Sequence, residues 1–211
     1  GSYTGVRIAV TAAKTMAWAL GLTVYAVSSL EALAYGGYRA YLAAAGAEAG
    51  NEEVWIVPLL DARRGQAYTA LFAAKAFGEA PGGAAAAGPG SVAVAAAAGG
   101  EPAVWRRLAE DAIVPFREQA EKWLAVAGRP GRIVFVGDVE SRAAAWMNEA
   151  FEGGGPVRLA VSIQARDVAA IARRHGEAAR IGDPHDLLPN YAQLAEAEVK
   201  LAEAARRGDD W

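Results

Sequence analysis

The sequence predicts a mixed α/β fold, and three features carry that prediction. Helical periodicity alternates with short apolar runs rich in β-branched and aromatic residues, such as LTVYAV at 22–27 and RIVFV at 132–136. The segment EVWIVPLLDARRGQAYTALFAAK has two strand-like halves around a polar turn that contains glycine, the pattern of a β-hairpin. No segment repeats at the period of a solenoid. This order of elements is typical of layered α/β proteins.

The first predicted elements are a helix at 4–20, a short buried strand at 22–27 and a second helix ending near Ala45. Ser28 or Ser29 can cap the second helix, because SSLEALA places a hydroxyl before an apolar-periodic run with an acid in its first turn. Glycine, asparagine and charge in GAEAGNEE then predict a boundary between two parts of the chain. The hairpin follows, with strands at 54–57 and 66–72 and a turn at 61–65.

The second half of the chain continues the alternation after an interruption. Residues 78–100 are low-complexity Ala/Gly/Pro and predict a surface loop, in which SVAVA has the pattern of a weak edge strand. Helices are expected at 114–126, 141–151 and 163–175, and strands at 132–136 and 157–160. The linker GDPHDLLPN then leads to a final helix at 191–207.

Composition excludes several functional classes. The 211 residues include no cysteine, so thiolate metal sites and a cysteine nucleophile are ruled out, which is compatible with a reducing cytoplasm. No run of about eighteen bulky apolar residues predicts a membrane span. A net charge of -3 with scattered Lys and Arg lacks the basic footprint of a stand-alone nucleic-acid binder.

Three separated motifs resemble the TsaB family, in the correct order and over nearly the whole chain. GSYTGVRIAVTAAKTMAWALG followed by VSSLEALA is similar to the family's GPGS(F/Y)TGxRIGxxxAKxLAxxL and GVS(S/T)LEA. DARRG with the following Tyr68 is similar to its DAR motif, and PNYAQLAEAE to its PNYxxxAEAE signature. Gln66 and Ala67 depart from a usual Glu-Val pair, and the 78–100 loop has no recognisable counterpart. The motif positions, whose role is unknown, are Ser2, Thr4, Gly5, Asp61, Arg63, Tyr68, Pro189, Asn190 and Tyr191.

The resemblance implies an α/β fold of the actin, sugar-kinase and Hsp70-like (ribonuclease H-like) class with two lobes. Family members carry a β-meander, a helix and GPG before SYTG, so we expect an N-terminally truncated chain with an incomplete first lobe. The expected organisation is the remainder of the first lobe at 1–48, a second lobe at 49–185 and a C-terminal helix at 186–211.

The resemblance also implies a function, that of a non-catalytic dimerisation subunit in tRNA N6-threonylcarbamoyladenosine modification beside the anticodon. Its expected partner is the catalytic subunit TsaD, joined by the P-loop ATPase TsaE, with a homodimer also possible. It would reach tRNA only through that complex, in the cytoplasm, with no cofactor, metal or membrane. The alternative is a small-molecule phosphotransferase or ATPase of the same superfamily, which would need a nucleotide site spanning both lobes.

The first helix has an apolar arc about twice as wide as that of a one-sided helix. From the residues alone, burial within its own lobe and packing against a partner are equally open. Members of the resembled family dimerise through helices of this lobe, which favours the interface. The residues expected there are Val6, Arg7, Val10, Ala13, Lys14 and Ala17.

Three other groups of residues permit two interpretations each. GSYTG is either a helix cap or a phosphate cradle. The DARRG turn is either an Asp61-bonded hairpin turn or a pair of guanidiniums that grip an anion. Asp183, His185 and Asp186 form either a surface turn or a site for a cation or proton. No HExxH, Walker A or GxSxG pattern is present.

Overall fold

The computed structural model describes residues 3–45, 52–75, 101–141, 144–150 and 155–190. Contacts divide the chain into two compact units, Gly1–Val24 with Gly182–Trp211, and Tyr25–Ile181. The predicted boundary at 48/49, the 78–100 loop with SVAVA and the final helix at 191–207 lie outside the described residues. The predicted division into lobes therefore stays a prediction.

The larger unit is built on a mixed five-stranded sheet. Its strands are β2 (Val54–Asp61), β3 (Gln66–Lys75), β4 (Val104–Pro115), β5 (Arg132–Gly137) and β6 (Val157–Leu159), in the order β4-β3-β2-β5-β6. β2 and β3 form the predicted antiparallel hairpin, and β4 continues it. β5 and β6 are added in parallel on the other side of β2.

Helices cover both faces of this sheet, and side chains alternate between the two resulting cores. α2 (Ser29–Ala45) covers one face, where Ile56, Phe72 and Val134 are fully buried. α3 (Phe116–Leu124) and α4 (Trp146–Ala150) lie in the core on the other face. The central strands are apolar at nearly every position because both of their faces are buried.

α2 approaches the sheet closely through Gly37. A Cβ at this position would overlap the side chain of Val136 on β5, so only glycine allows this spacing. On its other side α2 contacts α5 (Ala165–His175), where Tyr35 packs with Ala170 and Ile171. An ion pair joins the two helices, since Arg39 Nη1 lies 2.8 Å from Oδ1 of the buried Asp167.

Several predicted elements are confirmed, and others differ. The hairpin, the helix at 29–45 and the strand at 132–136 are present. The strand β4 was not predicted, and the helix expected at 114–126 begins only at Phe116, after Pro115. The predicted helix at 141–151 is a turn followed by α4, with residues 142–143 and 151 outside the described ranges.

The smaller unit contains α1 (Tyr3–Leu20) and a 3₁₀ turn at Pro184–Asp186, which are in contact. The strand expected at 22–27 is reduced to β1 (Val24–Tyr25), which pairs with β7 (Arg180–Ile181) where the chain enters and leaves the larger unit. Leu22 is 52% exposed and Tyr25 is 43% exposed, so this segment is not the buried strand that the sequence predicted. Within the described ranges, no helix is both long and apolar enough to cross a membrane.

Helix α2 belongs to the larger unit. The physical reason is the apolar face of α2, which packs on β2, β3 and β5.

Candidate functional site

Helix α1 has a broad apolar face that is open to solvent. We define the open face of α1 by six apolar exposed residues that share one arc, Ile8, Ala9, Ala12, Met16, Ala19 and Leu20, whereas the exposed Trp18 lies among the polar residues. At 100° per residue these positions span an arc of about 120°. Ile8 is 64% exposed, Met16 57% and Leu20 65%. Exposure on this scale is unusual for large apolar side chains on a helix whose other side is already packed. Contiguous exposed apolar surface of this kind marks an interaction site.

The residues that the sequence placed at an interface fall into two groups. Val6, Val10 and Lys14 are half-buried and Ala17 is buried, so these four share the side of α1 opposite the open face. Ala13 is exposed and borders the open face, and Arg7 is exposed among the polar residues. The assignment of these six to a partner interface stays a prediction, and the structure adds the open-face residues as further candidates.

The helix start clarifies the GSYTG segment in part. α1 begins at Tyr3, so Thr4 and Gly5 lie in the first helical turn and are exposed. Ser2, the other predicted cap, lies outside the described residues.

The DARRG turn is held by its own backbone and by a carboxylate. Oδ1 of Asp61 accepts a hydrogen bond from the backbone N–H of Arg63 at 3.1 Å, as the turn interpretation predicted. Arg63 and Arg64 both have positive φ, 67° and 54°, which is uncommon for residues with a side chain. Their side chains are exposed. An anion-binding role for the two guanidiniums stays a prediction.

The end of β5 fixes this turn from the neighbouring strand. Oδ2 of Asp138 accepts from the backbone N–H of Asp61 at 2.9 Å, and the Asp138 N–H donates to the Leu59 carbonyl at 2.9 Å. Because β2 and β5 are parallel, their carboxyl ends meet at one edge of the sheet. The DAR motif therefore joins two strands at that edge.

A buried polar network surrounds Glu31 of the SSLEALA segment. Glu31 is 5% exposed, and its carboxylate accepts from Trp105 Nε1 at 3.0 Å and from Arg107 Nη2 at 3.0 Å. His175 Nε2 lies 2.9 Å from Glu31 Oε1. The network thus links α2, β4 and α5 through one side chain.

Ser28 and Asp111 extend this network. Ser28 Oγ accepts from the Glu31 N–H at 3.2 Å, which confirms the predicted cap, and donates to Asp111 at 2.6 Å. Arg107 also pairs with Asp111. Burial of the Arg107 guanidinium opposes its charge, but its bonds to Asp111 and Glu31 outweigh that effect and raise its pKa. The charged and polar groups of this cluster bond to one another, and we therefore interpret the cluster as structural.

The remaining candidate residues lie in the core or in a hydrogen-bonded turn, or at the end of the described chain. Tyr68 is half-buried and packs against the core under α2. Oδ1 of Asp183 accepts from the His185 N–H at 2.8 Å, which supports the surface-turn interpretation of that segment. In the described part of the chain, no group of three or more His, Cys, Asp or Glu is placed to hold a metal ion. Pro189 is half-buried and Asn190 exposed, and Tyr191 lies outside the described residues.

Sequence reasoning did not find the partners of Glu31. Trp105, Arg107 and Asp111 lie on β4, the strand that was not predicted, and nothing local in the sequence connects them with residue 31. The segment VWRRLAED gave no strand signal, because its apolar and charged residues come in pairs and do not alternate.

Comparisons with known proteins agree with this geometry. Residues 1–207 match the family described as "TsaD: tRNA N6-adenosine threonylcarbamoyltransferase". The tRNA threonylcarbamoyladenosine biosynthesis protein TsaB of Bacillus subtilis (strain 168) is 31% identical over 208 residues, which cover 98% of this chain and 71% of that protein.

Two solved structures share the fold. YeaZ from Pseudomonas aeruginosa superposes with a TM-score of 0.54 at 23% identity, covering 90% of this chain and 70% of that one. A second structure from that organism, described as an uncharacterized protein with similarity to peptidase YEAZ, gives a TM-score of 0.52 at 22% identity, covering 92% and 69%. These likenesses and the family match confirm the predicted α/β class of the actin, sugar-kinase and Hsp70-like proteins. The chain belongs to the TsaB family, within the wider family that carries the TsaD name.

Proposed function

We propose that this chain is a non-catalytic subunit in the formation of tRNA threonylcarbamoyladenosine, and that the open face of α1 binds the catalytic subunit TsaD. The observation that carries the proposal is the exposure of Ile8, Met16 and Leu20 on one helix face in a chain of the TsaB family. Burying such a face on a partner would gain about 25 cal/mol for each Å² of apolar surface removed from water.

The small residues of the open face support a helix as the occupant. Ala9, Ala12 and Ala19 bring little side-chain bulk, so a partner helix can approach closely between the larger Ile8 and Met16. Because the open face is apolar, it could also pack against the same face of a second copy of the chain. A homodimer would then compete with the TsaD complex. TsaE would join after the pair has formed, and tRNA would be contacted through the complex in the cytoplasm.

The chemistry of the chain supports a non-catalytic role. His175 is engaged with Glu31, and His185 belongs to a turn that Asp183 closes. The acidic and basic groups of the Glu31 network satisfy one another within the fold, as in a structural cluster. These arrangements favour a subunit that acts by binding.

The interface is tested by placing a charge on the open face. Ala12→Arg should abolish co-elution with TsaD in size-exclusion chromatography, because an unpaired charge in an apolar contact costs several kcal/mol. We expect binding to weaken by about a hundredfold or more. The helix itself should tolerate the change, since Ala12 is exposed and arginine is a good helix former.

Thr11→Arg is the matched control, because it adds the same charge one residue away, among the polar residues of α1. It should co-elute with TsaD as the unchanged chain does. Co-elution of a folded Ala12→Arg chain at the unchanged level would contradict the proposal. Val10→Arg is a poorer test, since Val10 is half-buried and its replacement would disturb folding.

A further inference from the structure

A cleft in the larger unit lies between the end of α3 and the first residues of β5 and β6. Its volume is about 410 Å³, and its lining consists of Leu124, Arg129, Gly131, Arg132, Ile133, Gly155, Pro156 and Val157. Two of these residues are arginines and none is acidic. The cleft lies at the amino ends of β5 and β6, whereas the DAR turn lies at the carboxyl end of β2. It is therefore separate from the DAR turn.

The two arginines are oriented by neutral acceptors. Arg129 Nε donates to the Leu124 carbonyl at 2.8 Å, and Arg129 Nη1 donates to the Pro130 carbonyl at 3.2 Å. Arg132 Nη1 donates to the Tyr41 hydroxyl at 3.3 Å. Among the described residues, neither guanidinium forms an ion pair. In the described part of the chain, both guanidiniums are thus held in place by neutral acceptors.

The rest of the lining limits what would fit beside these charges. The half-buried Leu124 and Val157 supply the apolar wall of the cleft, whereas Ile133 is 2% exposed. A Cβ at Gly131 would have no neighbour within 4 Å, so this position leaves space open. Guanidinium groups bind oxyanions through charge-assisted hydrogen bonds, and phosphate fits their planar donor pattern. An apolar body attached to the anion would bury surface against the wall.

We propose that this cleft binds a small organic anion, a phosphate monoester whose remaining part is apolar, through Arg129 and Arg132. The site is independent of the open face of α1 and adds a ligand to a chain whose proposed function is to bind a protein. Arg132 supplies donors that have no partner among the described residues, and Arg129 supplies a second charge from the loop that follows α3.

Calorimetric titration of the whole chain with phenyl phosphate at low salt tests the proposal. We expect saturable binding that Arg132→Gln weakens tenfold or more, the effect of losing one charge-assisted hydrogen bond of about 1.5–3 kcal/mol. Inorganic phosphate should bind more weakly than phenyl phosphate, and phenol should not bind measurably.

Arg158→Gln is the matched control, because Arg158 lies on β6 outside the lining and also donates to a neutral partner, Asn148. It removes the same charge and should change the affinity by less than about twofold, the scale of a screened long-range effect. The assignment is overturned if the unchanged chain shows no saturable binding up to about 20 mM ligand. It is also overturned if the two glutamine variants, both folded by circular dichroism, lose affinity equally.

Discussion

At the scale of single residues, burial is the main influence on the pKa of Tyr38 on α2. The side chain is 1% exposed, and its hydroxyl has no hydrogen-bond partner in the described part of the chain. Burial, reinforced by the neighbouring Tyr41 and Tyr35, raises its pKa to about 12 from an ordinary value of 10.0. The folded chain therefore keeps a proton that the unfolded chain releases at alkaline pH.

The sign of the resulting pH dependence follows from linkage. Because the folded pKa is the higher one, the stability is complete below pH 10 and falls as pH rises from 10 towards 12, by up to about 1.4 kcal/mol per pH unit. Tyr38→Phe should reduce this fall, with a smaller one left from Tyr35, whose pKa burial also raises. It should leave the stability at pH 7 unchanged or about 1 kcal/mol higher, since an unpaired buried hydroxyl is lost. Urea unfolding at pH 7 and near pH 11 measures both. A loss of more than about 1 kcal/mol at pH 7 would mean that the hydroxyl has a partner.

At the scale of elements, the sequence predicted those helices and strands whose pattern is contained in neighbouring residues. The hairpin, α1, α2 and β5 were recognisable because their apolar spacing, caps and turn residues lie within a few neighbouring positions. β4 was not recognisable, because Arg107 and Asp111 occupy inward-facing positions. Charged residues in a sequence normally indicate solvent-exposed positions. The charges of these two residues are balanced by each other and by bonds to Glu31 and Ser28, which lie more than seventy residues away. The open face of α1 was predicted as a wide apolar arc, but which side of it is covered depends on tertiary contacts.

The junction between β2 and β5 depends on a backbone conformation at Gly137. Its φ is 106°, and a Cβ there would overlap the Leu59 carbonyl oxygen. Gly137→Ala should therefore lower the free energy of unfolding by about 3 kcal/mol or more. Gly131→Ala is the control, since a Cβ there has no neighbour within 4 Å, and it should change stability by less than about 0.5 kcal/mol. Equal urea midpoints for the two variants would contradict this account of the junction.

At the scale of the whole molecule, the two compact units differ in how much of their apolar surface is exposed to solvent. The unit Tyr25–Ile181 holds the sheet, both cores and the Glu31 network, so its side chains are largely satisfied by one another. The unit that contains α1 presents large apolar side chains to solvent. A chain of this kind is expected to complete its burial by association.

Hydrogen–deuterium exchange of the chain, alone and mixed with TsaD, tests the central claim most directly, because exchange reports the burial and stability of each element separately. TsaD should slow exchange along α1 (Tyr3–Leu20) and leave exchange in β5, within the sheet of the larger unit, unchanged. Unchanged exchange along α1 under conditions where TsaD is bound would contradict the claim that this helix is the partner-binding element.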